Sequence, residues 1–463
     1  MARPAQITRD HLAPLLRARG PVSATELAAA LRVNRTTIAR TLQGFGGELV
    51  TLGATRSTRY LLRRSIRHIG NRWPLFRIGE DGRAAEWAEL EALHERSWRV
   101  SWTGTPPEWA ARFTGDNGLW SGFPFFLDDV RPQGFIGRII TSHVSRLLDL
   151  PEDPARWSDD HTVVYLQAAG EDLPGNLVLG GECLRRAMAG AADLPGGNRM
   201  GEDERATLYP SRAVEISQSL PGSSAGGEQP KFLTTLREAD GGFRQVLVKF
   251  SAPMDQDTGK RWADLLACEF HAHEVLAEAD LSNPGARLID AGGRRFLEIQ
   301  RFDRRGASGR LGVVSLAALA AAATGLHSRD WNTSRELQRL GLIGHDALAT
   351  IQRLHAFGEL IGNTDMHVGN LAFFLGDSLP LKVTPCYDML PMLWAPGSQG
   401  ELMERRFSPA LPLPAMTDTW REAAVWAENF WFRVVADERM TPGFAAMAGE
   451  ALGVVRRLRA HVG

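Results

Sequence analysis

Cysteine is scarce, with three in 463 residues, and Cys183, Cys268 and Cys386 lie far apart without the short spacings that metal ligands need. That excludes a disulfide framework and a cysteine-based metal site, and it leads to the expectation of a reducing, cytoplasmic setting. Long apolar runs are also missing. The longest, Val313 to Gly325, is interrupted by Ser315 and Thr324 and falls short of the ~20 residues that cross a bilayer, so no transmembrane helix and no membrane partner are expected. The first twenty residues, MARPAQITRDHLAPLLRARG, hold arginines at both ends and no apolar centre, which does not read as a secretory signal. What is present is ordinary for a folded chain: 44% hydrophobic and 23% charged residues, with 47 glycines and 25 prolines marking many turns. The length allows two or three separate cores.

The net charge of -1 hides an asymmetry. Residues 1 to 70 carry twelve arginines, no lysine and three acids (Asp10, Glu26, Glu48), a net +9 that leaves -10 on the remainder. A small basic domain joined to a larger acidic body suggests a polyanion-binding module, although a solvated basic face would give the same count. The pattern favours the module. Leu12, Leu15 and Leu16 have helical spacing before the break at Gly20-Pro21; Ser23 to Glu26 forms a capping box; and Asn34 is placed to cap a helix bearing Ile38 and Leu42. Two strands, Glu48 to Leu52 and Ser57 to Leu62, flank a turn. This order resembles a winged helix-turn-helix, whose docking mode would turn Arg35, Thr36, Thr37 and Arg40 toward double-stranded DNA, with Arg56 and Arg59 on phosphates. The domain, residues 1 to about 68, is expected to bind DNA by itself.

Residues 71 to 200 alternate short apolar runs with turns and show no catalytic constellation. Strands are expected near Leu75 to Ile78 and Trp98 to Trp102, the runs around Phe123 to Leu127 and Gly134 to Arg138 read as core and turns, and Ala189 to Gly201 reads as a linker or mobile loop. The 13 tryptophans are scattered, as packing residues are, rather than grouped as base-stacking platforms.

The chemistry begins at Pro221. The segment PGSSAGGEQPKF is glycine-rich, and glycines let backbone N–H groups approach phosphate oxygens where a Cβ would clash. A strand ending at Lys249 follows, then a long helical run from Trp262 to Ala279 bearing Glu269 and Glu274. A strand lysine paired with a helix glutamate is how kinases hold nucleotide phosphates. Phe296 to Arg304 reads as a strand entering a polar turn, suited to a hinge between lobes. After an apolar helix comes Gly362-Asn363-Thr364-Asp365-Met366-His367-Val368-Gly369-Asn370, and later Asp388. Asp365 and Asn370 have the separation of the catalytic Asp and the metal-binding Asn in a kinase loop, and a later Asp supplies the principal Mg²⁺ ligand.

These motifs together resemble the HipA-type serine/threonine kinases, a family of bacterial toxin kinases. With the N-terminal domain included, the chain is most similar to their YjjJ branch. The resemblance spans roughly residues 75 to 455 and is strongest from Gly222 to Asp388. It implies a phosphate loop with Ser224, Gly226, Gly227 and Lys231, in which Ser224, with Ser223 as a second candidate, becomes phosphorylated by the kinase itself. It implies Lys249 and Glu269 at the ATP phosphates, Gln300 and Phe302 at the hinge, Asp365 as catalytic residue with Asn363 and His367 supporting the loop, and Asn370 and Asp388 as Mg²⁺ ligands. It also implies a protein substrate, aminoacyl-tRNA synthetases being the class that relatives act on, and admits an antitoxin partner. The chain departs from the pattern in three ways: Met389-Leu390 follows Asp388 instead of Phe-Gly, Gln300 replaces a hinge acid, and the DNA-binding domain is in the same chain.

The fold expected is therefore α+β: a winged helix-turn-helix (1–70), a HipA-like N-terminal subdomain (71–200), a kinase N-lobe with a Gly/Ser loop (201–303) and a helical C-lobe (304–463). ATP and Mg²⁺ are the expected cofactors. The competing reading is a DNA-acting or transcription-regulatory protein whose metal-binding body cleaves nucleic acid or only senses nucleotide; retention of both the Gly/Ser loop and Lys249 favours ATP chemistry.

Overall fold

The computed structural model describes residues 7–94, 96–115, 118–192, 199–219, 229–325, 330–397 and 399–463. Three short helices come first, α1 (Arg9–Ala18), α2 (Ala24–Leu31) and α3 (Arg35–Gln43), and the second and third start where the sequence provides a cap. Ser23 N–H donates to Glu26 Oε2 (2.7 Å) and Glu26 N–H returns a bond to Ser23 Oγ (3.2 Å), closing the expected capping box. Asn34 Oδ1 accepts from Thr37 N–H (2.9 Å) at the start of α3. Leu12, Leu16, Leu27, Ile38 and Leu42 meet as the core of this bundle.

The hairpin β1 (Leu49–Leu52) and β2 (Arg59–Leu62) pairs antiparallel as expected, yet it is not a free wing. Val50, Leu52 and Leu61 share a small core with Leu93 and Leu119 of the next domain, and the Arg63 guanidinium reaches the buried Glu91 at 2.6 Å. The basic domain is thus seated on its neighbour, which departs from the picture of a detachable module.

That neighbour is an antiparallel sheet of β3 (Arg72–Ile78), β4 (Ala84–Ala92), β5 (Trp98–Trp102), β6 (Leu119–Trp120) and β7 (Leu177–Leu179), in the order β6-β5-β4-β3-β7. With it go α4 (Phe125–Asp128), α5 (Gly134–Leu147), α6 (Asp159–Ala169) and α7 (Gly181–Ala192). Trp87, Trp102, Trp109, Phe125 and Phe126 contact one another ring to ring, so these tryptophans are packing residues. The run at Gly134, read as turns, instead opens the fourteen-residue α5. Within the segment expected as a linker or mobile loop, 189–201, α7 continues to Ala192 and a strand starts at Arg199.

The second sheet contains β8 (Arg199–Gly201), β9 (Lys231–Arg237), β10 (Phe243–Phe250), β11 (Arg287–Ala291) and β12 (Arg294–Gln300), ordered β11-β12-β10-β9-β8. α8 (Arg205–Ser219) buries Tyr209 and Ala213 against Phe232, Phe250 and Phe296, while α9 (Asp257–Ala277) packs Leu266 against Leu297. A two-stranded hairpin, β13 (Arg304–Arg305) and β14 (Gly309–Arg310), marks the crossing into the last part. There β15 (Val313–Ser315), β16 (Ala372–Phe374) and β17 (Lys382–Val383) form a small sheet among α10 (Leu316–Thr324), α11 (Ser334–Arg339), α12 (His345–Leu360), α13 (Thr417–Ala436) and α14 (Pro442–Val462). The architecture is mixed α/β, as expected. No helix among the described residues is long and apolar enough to cross a membrane, and the three cysteines are buried free thiols.

Candidate active site

A cleft of about 460 Å³ opens where β9, β10 and the end of β12 face the catalytic-type loop, and its third wall comes from α5, Tyr165 and Asp172–Pro174 of the middle domain. At its centre Lys249 Nζ bonds Glu269 Oε1 at 2.5 Å and also bonds Asp388 Oδ1. Lys249 is 4% exposed and Glu269 not at all, so the ammonium and its carboxylates interact with little screening. Burial alone would depress the lysine, but the charges of Asp388 and Glu269 outweigh it and hold it above its ordinary value. One ammonium serves two acids unequally. Burial pushes the Glu269 carboxyl up despite Lys249, whereas Asp388 resists burial because Lys249 and then Lys231 hold its carboxyl far below the usual range.

Lys231 stands directly opposite Lys249 in the β9–β10 register, so both side chains rise from one face of the sheet. Gln300 ends β12 at the cleft, and Phe302 beyond it stacks on Tyr387 with ring centroids 5.7 Å apart. Tyr387 in turn donates through its hydroxyl to Gly369 O (2.9 Å).

The loop after α12 is organised by its two asparagines. Asn363, buried, accepts from Asp365 N–H at 3.0 Å and donates through Nδ2 to Asp388 O at 3.3 Å, which ties the two acidic segments together. Asn370 Nδ2 donates to Asp365 O at 2.8 Å, leaving its Oδ1 as the oxygen end. His367 Nδ1 accepts from Gly369 N–H (3.0 Å), a loop-supporting contact, and Asp365 itself is exposed. The structure therefore gathers Lys231, Lys249, Glu269, Gln300, Phe302, Asn363, Asp365, His367, Asn370 and Asp388 in and beside one cleft. Ser223, Ser224, Gly226 and Gly227 lie outside the described residues.

On the basic domain, Arg35, Thr36 and Arg40 are exposed on α3. The Thr37 hydroxyl is engaged with Asn34 Oδ1 (2.9 Å), so it serves the helix cap. Arg59 reaches Glu26 Oε2 at 2.8 Å, and the Glu26 carboxyl is lowered to about 2, by Ser23 first and Arg59 after it. Arg56 lies in the turn between the hairpin strands.

Sequence reasoning missed the middle-domain wall and the residues behind Lys249. Tyr165 Oη, Glu269 Oε2 and His273 Nε2 are buried without a hydrogen-bond partner among the described residues, and Tyr165 and His273 line the cleft. His273 was signalled by its spacing of four from Glu269 on a helix, which puts both on one face. Nothing local marks Tyr165.

Two family models match the chain: "YjjJ-like toxin, middle domain" over residues 69–188 and "HipA-like C-terminal domain" over residues 223–449. The toxin YjjJ of Escherichia coli (strain K12) is 32% identical over 450 residues, covering 96% of this chain and 97% of that protein. Among solved structures, the Shewanella oneidensis MR-1 toxin–antitoxin complex of HipA, HipB and operator DNA contains a chain that aligns with a TM-score of 0.48 and 15% identity, over 84% of this chain and 99% of that one. The Helicobacter pylori proinflammatory kinase CtkA aligns with a TM-score of 0.35 and 11% identity, over 50% and 90%.

Proposed function

The chain belongs to the YjjJ-like toxins of the HipA-like family, and from that premise we propose that it is an ATP- and Mg²⁺-dependent serine/threonine protein kinase with its own DNA-binding domain. The observation that carries this is the Glu269–Lys249–Asp388 arrangement, tied through Asn363 to the Asn363–Asn370 loop beside one cleft. Two lysines in register on one sheet face place their ammonium groups beside Asp388, a concentration of positive charge that phosphate groups would meet. The hinge end, with Phe302 on Tyr387, offers the flat apolar surface a purine takes.

The donor set suits Mg²⁺ carried with a nucleotide. Among the described residues no group of three or more His, Cys, Asp or Glu side chains is arranged to hold a metal by protein ligands alone. Mg²⁺ instead takes one or two protein oxygens and completes its shell with phosphates and water, and Asp388 with Asn370 Oδ1 are such oxygens. When bound, the ion would supply neutralisation of the phosphate oxygens. Lys249, held by Glu269, and Lys231 add cationic charge toward the same phosphates. Asp365 orients a serine or threonine hydroxyl and accepts its proton as the hydroxyl oxygen bonds to the γ-phosphorus and the bond to the ADP oxygen breaks. Ser224, in the glycine-rich segment, is the proposed site of self-phosphorylation, and a dianion there would repel incoming ATP and lower activity. The order of α1 to α3, the caps of α2 and α3 and the β1–β2 hairpin support a winged helix-turn-helix whose exposed Arg35 and Arg40 meet DNA phosphates.

The test is γ-phosphate transfer from Mg-ATP, read by mass spectrometry, with titration calorimetry on variants. Wild type should acquire phosphate at Ser224, Asp365→Ala should acquire none while still binding nucleotide, and Asp388→Ala should lose the Mg²⁺-dependent part of binding. Undiminished phosphate in Asp365→Ala would overturn the catalytic assignment.

A further inference from the structure

Asp388 occupies left-handed backbone, φ +55°, within a stretch without regular secondary structure, so something outside its own segment must keep it in place. Cys386, two residues earlier, is held at both its N–H and its carbonyl by the turn that follows α9. Cys386 N–H donates to Leu281 O at 2.8 Å, and Ser282 Oγ donates to Cys386 O at 3.3 Å. Ser282 Oγ is also 2.7 Å from His273 Nδ1, and both side chains are buried. A hydroxyl has one hydrogen. Both contacts are hydrogen bonds at once only when that hydrogen goes to Cys386 O and the serine oxygen accepts from His273, the arrangement that assigns the Nδ1–H tautomer and leaves Nε2 bare.

We propose that His273 and Ser282 are positioning residues that hold Asp388 ready for its cation, acting through the carbonyl of Cys386. This rests on the kinase reading for its purpose and on the hydrogen bonds alone for its geometry. His273 lies one turn beyond Glu269 on α9, so a single helix face fixes both acids of the cleft: Glu269 indirectly holds Asp388 through the shared Lys249, and His273 holds it through the backbone. An aliphatic residue would fill the same buried position more cheaply, since it would leave no ring nitrogen without a partner. The imidazole is neutral, lowered to about 4 by burial and by Lys249, so the tether keeps one form near neutral pH.

The amides discriminate the two ring nitrogens. In His273→Asn the side-chain N–H takes the place of Nδ1–H and keeps the tether; His273→Gln reaches the position of Nε2 and loses it. Ser282→Ala removes the tether with little change in volume. Hydrogen exchange of the nucleotide-free full chain should be about tenfold faster over residues 384–390 in Ser282→Ala and His273→Gln, and unchanged in His273→Asn. Calorimetry with a non-hydrolysable ATP analogue should show the same two variants losing about tenfold of the affinity that Mg²⁺ adds, with binding in EDTA unaltered. If His273→Asn exchanges as fast as the other two, or if binding in EDTA falls as much as binding with Mg²⁺, the two residues only fill space and the proposal is wrong. Exchange that behaves as expected in a protein that binds no nucleotide would keep the tether and sink the kinase reading instead.

Discussion

Four lysines stand among 53 basic residues, and two of them face each other in the cleft. Arginine serves nearly everywhere else, above all where a planar fork must be satisfied on several sides, and the hinge is the clearest instance. Asp303 accepts from Arg301 (3.0 Å), Arg304 (2.6 Å) and Gly175 N–H (2.9 Å), while Arg304 also reaches Asp172 (2.9 Å) and Leu173 O (2.7 Å). The network stitches the middle domain to the segment after β12. Burial would raise the Asp303 carboxyl, but Arg301 and Arg304 hold it well below its ordinary value. A carboxyl depressed on folding stabilises the protein above its unfolded value of ~3.9 and loses that contribution as the pH falls toward the folded value. Asp303→Asn should therefore cost about 3 kcal/mol near neutral pH, because it leaves two buried guanidinium groups to share Asp172. The gap between wild-type and variant melting curves should be widest at pH 7, similar at pH 5 and narrower at pH 3; a gap that grows in acid would refute the assignment.

At the scale of elements, the wall that the middle domain lends to the cleft depends on how α5 is entered. Gly137 lies in the first turn of α5, and a Cβ there would stand 2.6 Å from the Pro132 carbonyl carbon, so the helix and the loop before it pack backbone to backbone. Gly137→Ala must push the loop or the helix aside, a strain of roughly 1–3 kcal/mol. Because that loop and α5 line the cleft, nucleotide affinity should drop severalfold with all catalytic side chains intact; unchanged affinity in calorimetry would show that α5 is not part of the site. The same element explains what could be read in advance. The loop from Asn363 to Asn370 and the strand of Lys249 were legible because their chemistry is written in consecutive residues, and the caps at Ser23 and Asn34 because a cap is a local device. The wall from α5 and Tyr165 was not. Its residues look like ordinary core, and only long-range packing, which no short window contains, brings them beside β9. The hairpin was placed correctly as strands, yet its buried face was unreadable for the same reason: Val50, Leu52 and Leu61 find Leu93 and Leu119 only in three dimensions.

The whole molecule couples a +9 head to a -10 body, and the hairpin core makes the head part of the folded whole. A fragment ending near residue 68 would uncover Val50, Leu52 and Leu61 and leave Arg63 without Glu91, so DNA binding is best measured on the full chain. Not all the arginines proposed for DNA are equivalent there. Arg35 and Arg40 are exposed on α3, whereas Arg59 is already engaged by a carboxylate, Glu26, that stays ionised down to about pH 2. Each phosphate neutralised contributes about -0.9 to the slope of log K against log salt. Replacing Arg35 and Arg40 together by Ala should make that slope shallower by roughly 2 and weaken binding to all sequences alike, while Arg59→Ala should change it by much less than 1. The acidic body works in the opposite direction: its repulsion of DNA is screened as salt rises, so the full chain should show a shallower slope than its arginines alone would give. Fluorescence anisotropy at three salt concentrations on the wild type and both variants separates these terms. An identical slope in the double variant would mean that α3 faces something other than DNA, and a slope that flattens with Arg59→Ala instead would move the contact to the hairpin.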